Sequence, residues 1–278
     1  MANPTTIAAV VLTLNEEQDL PRALASLDWC DELVVLDSGS IDGTLAVSQT
    51  YQARFYTHVQ KPPFLITSQR NWALENCDIT SQWVLFLDAD ELIDLPLRNE
   101  IIRTISAPSS VNAIELAPKY LFLGKWLRFT QSFPVWHPRL VLRGQAYFTG
   151  GVWESFNTDA VVGRIYTPYI HYAFSKGLSD WVHRHLRYAS WEAETVIRYL
   201  DGFDAQSFNT PRQLKLRQLS AHLWPLRPIL RFTQKYFLNL GLLDGWRGFL
   251  YSTLSAFYEL MIVIKIIELR RISRGLPL

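Results

Sequence analysis

The chain has 278 residues, 49% hydrophobic and 19% charged, enough to bury a sizeable core and too apolar for a disordered chain. Net charge is only +1, yet residues 1–100 carry fifteen acidic and five basic side chains, while residues 223–278 carry three acidic and eight basic ones. An acidic front half argues against a nucleic-acid binder and suits a site that gathers a divalent cation; a basic tail suits anionic lipid headgroups.

The first apolar run, "TIAAVVLTL" (6–14), is rich in β-branched residues and stops at Asn15-Glu16-Glu17. It has no basic region before it and reads as a strand, not a signal peptide, so the active region is expected in the cytoplasm. "NEEQDLPRALASL" follows with Leu20, Leu24 and Leu27 at helical spacing. "ELVVLDSGS" (32–40) is a second strand stopping at Asp37-Ser38-Gly39-Ser40, and "SIDGTLAVSQTY" a second helix that begins with turn residues and continues through Leu45, Val47 and Tyr51, with Asp42 as its cap rather than a ligand. "ARFYTH" (53–58) is a third strand; "ITSQRNWALENC" is a third helix with Ser68 as its cap and Trp72 and Leu74 on the following turns. "QWVLFLDAD" (82–90) is the fourth strand. Such runs, about 25–30 residues apart, predict a mostly parallel sheet covered on both faces.

Ligands of open α/β sheets bind beyond the carboxyl ends of the strands, where Asn15, Glu16, Asp37, Ser38, Asp88 and Asp90 fall. Neither G-x-G-x-x-G nor G-x-x-x-x-G-K-[ST] occurs, so phosphate must be held another way. In an extended stretch Asp88 and Asp90 face one side and Ala89 the other. Paired carboxylates there suit Mg²⁺ or Mn²⁺, which bridges to substrate phosphates and neutralises a departing diphosphate. Cys30 and Cys77 form neither a disulfide framework nor a zinc pattern.

Further along, "APSS" (107–110) and "FDAQSFNTPRQ" (203–213) read as loops. "LSDWVHRHLRYASWEAETVIRYL" (178–200) is a helix with Trp181, Leu186, Ala189 and Ala193 on one side; the two imidazoles of His183 and His185 splay apart, which makes a metal site there unexpected. Residues 248–269 are long enough to span a bilayer, but Glu259 and Lys265 lie inside the run, at about 2.5–3.5 kcal/mol each near a membrane centre. Helices lying in the membrane interface are the preferred reading, ahead of packing on the domain or a dimer partner, and of spanning.

The segments "VVLTLNEEQDLPRALASL", "DELVVLDSGSIDGT", "SQRNWALENC" and "WVLFLDADE", in that order, resemble the family 2 glycosyltransferases of GT-A fold, which are inverting enzymes using nucleotide-diphosphate sugars. Together with "RLVLRGQAYFTGGVWESF", "IHYAFSKG" and "YFLNLGLLDGWRGF", they look most like the lipopolysaccharide-core β-1,4-glucosyltransferase-like subgroup. The resemblance implies a GT-A catalytic domain over 1–175, its nucleotide-binding portion over 1–92 and its acceptor portion over 93–175, and a helical, membrane-associated region over 176–278.

It also implies a UDP-sugar donor, a hexose such as glucose, a glycan or lipid-linked acceptor, and a place on the cytoplasmic face of the inner membrane. Leu14, Asn15 and Glu16 match residues touching the nucleoside; Asp37, with Ser38, matches the carboxylate at the uracil edge, where it can accept N3–H. Arg70 and Asn71 match a nucleotide-contacting pair, with a structural ion pair as the alternative for Arg70. Asp88 and Ala89 fall near the sugar or ribose, and Asp90 at the metal; His171 is a further metal ligand or a pyrophosphate contact, with a satisfied core histidine as the alternative. Inversion requires a base for the acceptor hydroxyl, and Glu154 in "GGVWESF" is the candidate, with a structural ion pair to Arg139 or Arg143 as the alternative. Gly150-Gly151 permits a tight turn before it, and Trp153 and Phe156 are expected to surround it with apolar atoms. The family pattern there is more often His-Glu; this chain has Trp153-Glu154. His137 and Arg139, beside Trp136, are candidate acceptor contacts. Competing readings are an inert membrane-associated nucleotide-sugar-binding protein, and a nucleotidyltransferase, which the acidic "LTLNEEQ" disfavours.

Overall fold

The structure, a computed structural model, describes residues 5–61, 64–150, 154–201 and 223–278. The chain divides into two compact units, Met1–Leu121 with Phe133–Ser175, and Phe122–Ser132 with Lys176–Leu278. The loop expected at 203–213, Gly151 and Trp153 lie outside the described residues.

In the first unit β1 (Ile7–Thr13), β2 (Glu32–Asp37), β3 (Arg54–Thr57) and β4 (Trp83–Asp88) are parallel, in the order β3-β2-β1-β4. All seven residues of β1 are buried. Their alternate side chains serve two layers. Ile7, Ala9 and Val11 join Leu85, Leu87, Leu20, Leu24, Leu97 and Ile101 on one face. Ala8 and Val10 join Val34, Leu36, Val84, Phe86, Ala73 and Cys77 on the other. Each leucine so buried contributes about 1.5–3 kcal/mol, which explains why these strands lack polar alternation.

The covering helices are α1 (Leu20–Ala25), α2 (Thr44–Thr50), α3 (Ile66–Asn76) and α4 (Leu95–Ser106). Leu20, Leu24 and Leu27 are buried as expected, but Leu45 is exposed and α2 buries Thr44 and Ser48 instead. The cap of α3 is Leu65, in extended conformation, so Ser68 lies inside the helix. The residue before α2 is Gly43; Asp42 closes the preceding turn by accepting Thr44 N at 3.1 Å. The inner face of α3 is polar, with Thr67, Gln69 and Arg70 buried beside Ala73.

Beyond β4 the sheet is mixed. β5 (Glu91–Leu92), β6 (Ala113–Phe122), β8 (His137–Leu142) and β11 (Val162–His171) extend it in the order β4-β8-β6-β11-β5, and the short β7 (Lys125–Trp126) pairs with β6. β8 is antiparallel to both β4 and β6, and β11 runs parallel to β6 and antiparallel to β5. β9 (Phe148–Gly150) and β10 (Glu154–Phe156) form a separate antiparallel pair. The first four strands are parallel as expected, and beyond them only the β6–β11 pair is.

In the second unit α5 (Gly177–Leu200), α6 (Arg227–Thr233) and α7 (Trp246–Ser273) pack together. Trp181, Ala189, Ala193 and Val196 form the inner stripe of α5, while Leu186 is exposed. Gly248 is required by close approach: a Cβ there would lie 2.1 Å from the Gly241 carbonyl oxygen. Glu259 is only 2% exposed and is held by Arg227 and Arg231, each at 2.6 Å, which removes it as an isolated charge in the apolar run. Segment 122–132 joins this unit because the Asp244 carboxylate accepts Phe129 N at 3.1 Å and Thr130 N at 2.8 Å.

Candidate active site

β1 connects onward to β2 on one side and, after β3, to β4 on the other, so the chain changes direction between β1 and β4. Such a switch point opens a crevice beyond the strand ends. Leu12 pairs with Asp88 across it.

On the β1 side the loop residues are stitched to the loop after β2. Asn15, at φ 57°, donates its N–H to Ser40 Oγ at 2.7 Å and accepts Ile41 N at 2.9 Å. Glu16 N donates to Thr44 Oγ1 at 2.9 Å. Leu14 is left 45% exposed on the rim. Asp37 is buried, and its carboxylate accepts Thr13 Oγ1 at 2.7 Å, Gly39 N at 2.9 Å, Ser40 N at 2.7 Å and the Ser40 hydroxyl. A carboxylate has about four acceptor sites, so Asp37 is engaged in shaping this loop rather than offering a free oxygen to a base. Ser38 lies beside it, and its Oγ accepts Gln69 Nε2 at 3.2 Å.

On the β4 side the strand ends at Asp88, and Ala89-Asp90 form a turn rather than the extended run expected. The turn closes because Glu91 reaches back to accept Asp88 N at 3.0 Å. Ala89 points into the core. Asp88, with 38% of its side chain exposed, faces Arg70 and Arg139, each at 3.7 Å. Asp90 faces His171, Nε2 to Oδ2 3.2 Å. The D-A-D carboxylates thus serve different partners, brought close by the pairing of His171 with Glu91 across β11 and β5.

Two buried guanidiniums tie the site together. Arg70 is 0% exposed and is paired directly with Glu154. Arg139 donates to Glu91 Oε1 at 2.8 Å and to Tyr169 Oη at 3.2 Å, and lies 3.7 Å from Glu154. Burial alone would disfavour the charge on Arg139, but Glu91, then Tyr169, Asp88 and Glu154, hold it. Burial pushes the Glu91 carboxyl up while Arg139 pulls it back. Glu154 therefore sits against two cations. Arg139 was expected as an acceptor contact; Glu91 and Tyr169 had no expected role at all.

Helix α3 acts as the scaffold of the β9–β10 hairpin. Asn71 donates to Phe148 O at 2.8 Å and accepts Phe148 N at 2.9 Å. Thr67 Oγ1 donates to Gly150 O at 2.8 Å, and Gly150, at φ 88°, makes a turn that few other residues tolerate. With Arg70 on Glu154, the Arg70-Asn71 pair fixes the hairpin rather than reaching out toward phosphate. This is the ion-pair alternative, with Arg70 rather than Arg139 as the nearest partner.

Among the described residues no group of three or more His, Cys, Asp or Glu side chains forms a ligand set for a metal. The protein offers the facing pair Asp90 and His171, which fits an ion that takes its remaining ligands from diphosphate and water. A mixed carboxylate and imidazole pair favours Mn²⁺ over Mg²⁺. Asp88, Glu91 and Glu154 face two guanidiniums and Asp90 faces His171; with His171 neutral this leaves a surplus of two negative charges, which one divalent cation would balance. Without an ion, His171 partly fills that role: burial opposes its charge, but Asp90, then Glu91 and Asp88, raise its pKa to about 9. Neighbouring His137 is kept neutral by burial and by Arg139, its pKa lowered to about 3.

Residues 8–139 match the family model described as Glycosyl transferase family 2. The chain is 25% identical to the lipopolysaccharide core biosynthesis glycosyltransferase LpsC of Rhizobium meliloti, over 94% of this chain and 92% of that protein. It is 24% identical to an uncharacterized glycosyltransferase of Rickettsia typhi, over 97% of this chain and 89% of that one. Among solved structures, glucosyl-3-phosphoglycerate synthase of Mycobacterium tuberculosis with Mn²⁺ and uridine-diphosphate-glucose is similar at 20% identity and a TM-score of 0.39, over 51% of this chain and 59% of that one. The chain is a glycosyltransferase, similar to family 2 over residues 8–139 and to LpsC over nearly its whole length.

Proposed function

We propose that this enzyme moves a hexose, such as glucose, from a UDP-sugar to a hydroxyl of a glycan or lipid-linked acceptor, with inversion at the anomeric carbon. The observation that carries the reading is the meeting of Asp88, the Asp90–His171 pair and Glu154 around Arg70 and Arg139 at the carboxyl ends of β1 and β4. Glu154 takes the proton of the acceptor hydroxyl as its oxygen bonds to the anomeric carbon; the bond from that carbon to the diphosphate oxygen breaks, and its electron pair leaves with the diphosphate. A divalent ion at Asp90 and His171 would stabilise that leaving charge. Asp88 accepts sugar or ribose hydroxyls beside Ala89. Leu14, Asn15 and Glu16 face the nucleoside, with Asp37 and Ser38 shaping the loop that meets the base, and Arg70 and Asn71 hold the hairpin that presents Glu154.

The similarity to LpsC over nearly the whole chain supports a lipopolysaccharide-core or related glycan acceptor. The basic, apolar second unit supports placement on the cytoplasmic face of the inner membrane. The test is calorimetric titration of UDP, GDP and dTDP, with Mn²⁺ and with EDTA, on the wild type and Asp90→Ala. UDP should bind with Mn²⁺, and the variant should lose the Mn²⁺-dependent component. Equal binding in EDTA, or an unaffected variant, would remove the metal role; no binding of any nucleotide would remove the donor reading.

A further inference from the structure

Strand β11 buries Ile165 and Tyr169 in the core, while Val162, Arg164 and Tyr166 are exposed at alternate positions. Tyr166 is 70% exposed. A tyrosine so placed adds little to folding, because most of its ring stays in water. Its partner lies across the sheet. β6 runs between β8 and β11, and Leu116 of β6 pairs with both His137 and Ile165. One residue on, Trp136 and Tyr166 flank Ala117, whose methyl group leaves room for the two rings to meet, centroids 5.1 Å apart and planes at 84°. The Arg164 guanidinium lies 5.1 Å from the Trp136 ring centroid, and its Nε donates to Glu115 at 2.8 Å. The arginine side chain is 51% exposed, so its terminal amino groups can donate outward.

This patch adjoins the active site. β4 and β8 are antiparallel, with Leu85 opposite Leu140, so β8 begins at the end of β4 that carries Asp88. Trp136 immediately precedes β8. It stands about 10 Å of strand from Arg139, whose Nη1 is 3.7 Å from Glu154. Two aromatic rings offer at most about 300–500 Å², well short of the roughly 800 Å² per partner of a stable protein complex. An acyl chain laid here would desolvate the Arg164–Glu115 pair, which is unfavourable. A pyranose ring carries C–H bonds on its faces and hydroxyls on its rim. Its faces match an exposed aromatic ring, and its hydroxyls match a guanidinium beside a carboxylate.

We propose that Trp136, Tyr166, Arg164 and Glu115 form a saccharide subsite for the acceptor, holding sugar beyond the unit that presents its hydroxyl to Glu154. The acceptor is then at least a disaccharide, not a single sugar or a bare lipid headgroup. The inference rests on the transfer reading for its direction toward Glu154, but occupancy of the patch can be measured without donor.

The test is saturation-transfer NMR with calorimetry on the full chain, using a deacylated lipopolysaccharide-core oligosaccharide as the probe, with and without UDP and Mn²⁺. The wild type should bind the probe and pass saturation to its ring C–H protons. Tyr166→Ala should weaken that binding about tenfold, while Tyr166→Phe, which keeps the ring, should stay within about twofold. Arg164→Gln should also weaken it about tenfold, the scale of one charge-assisted hydrogen bond. UDP binding with Mn²⁺ should be equal in all of them. Absence of wild-type binding to the probe, or equal affinity in Tyr166→Ala, would overturn the subsite and leave the donor reading standing. Loss of probe and UDP together in Tyr166→Ala would make Tyr166 a structural residue and overturn the subsite as well. Probe binding without any UDP binding by the wild type would support the subsite and count against the donor reading alone. Vesicle binding or self-association that Tyr166→Ala abolishes, without probe binding, would assign the patch to a lipid surface or a second copy and overturn the saccharide assignment.

Discussion

Replacing Arg139 with Met isolates what the buried charge network contributes. Glu91 is 1% exposed, and its Oε1 takes its closest cationic contact from Arg139, at 2.8 Å. Removing one partner of a fully buried pair leaves the other charge desolvated, at a cost of about 3–5 kcal/mol. Arg139→Met should therefore destabilise the first unit by that amount. Glu91→Gln should also destabilise it, but Arg139→Met with Glu91→Gln should recover much of the loss, because no unpaired charge stays buried. The coupling from this double-mutant cycle should be at least about 2 kcal/mol, toward the upper end of the range for contacting residues. The assay is urea unfolding followed by tryptophan fluorescence at neutral pH, with hydrogen exchange on β4 and β8 to assign the transition to the first unit. A single-variant loss below about 1 kcal/mol, or additive variants, would refute the reasoning, since that is how a solvent-screened surface pair behaves.

Glu154→Gln should retain donor binding and lose transfer by about 10²–10⁴-fold, the usual share of a general base; loss of donor binding in calorimetry would move Glu154 out of that role. Asp244→Ala strips partners from Phe129 N and from the buried Thr130, at about 1–3 kcal/mol per unsatisfied buried donor. Residues 122–132 should then become the earliest site of limited proteolysis, and an unchanged cleavage pattern would show that Asp244 is not what anchors them.

The four parallel strands and their order along the chain were legible because an apolar β-branched run has few alternatives to a buried strand. The carboxylates at their ends were legible as a rim for the same reason: burial stops where charge begins. Asp88 and Asp90 could be singled out by residue type and local pattern, and His171 and Glu154 by the family resemblance. Which of them meet could not. His171 faces Asp90 only because β11 pairs with β5, a contact between residues 81 apart. Arg70 reaches Glu154 across 84 residues of chain, which makes an expected nucleotide contact the partner of the candidate base. The polar inner face of α3 carries no apolar periodicity, so nothing local announces that it is buried. Glu259 gives the same lesson in the second unit. In sequence it is a charge inside an apolar run, while in the fold Arg227 and Arg231 neutralise it from another helix. The sequence by itself determined the strands, their buried faces and the residue types available at the rim, because those follow from local hydrophobic pattern. The tertiary structure alone decided which charges are paired, because compensation of a buried charge depends on distance in space and leaves no period in the chain.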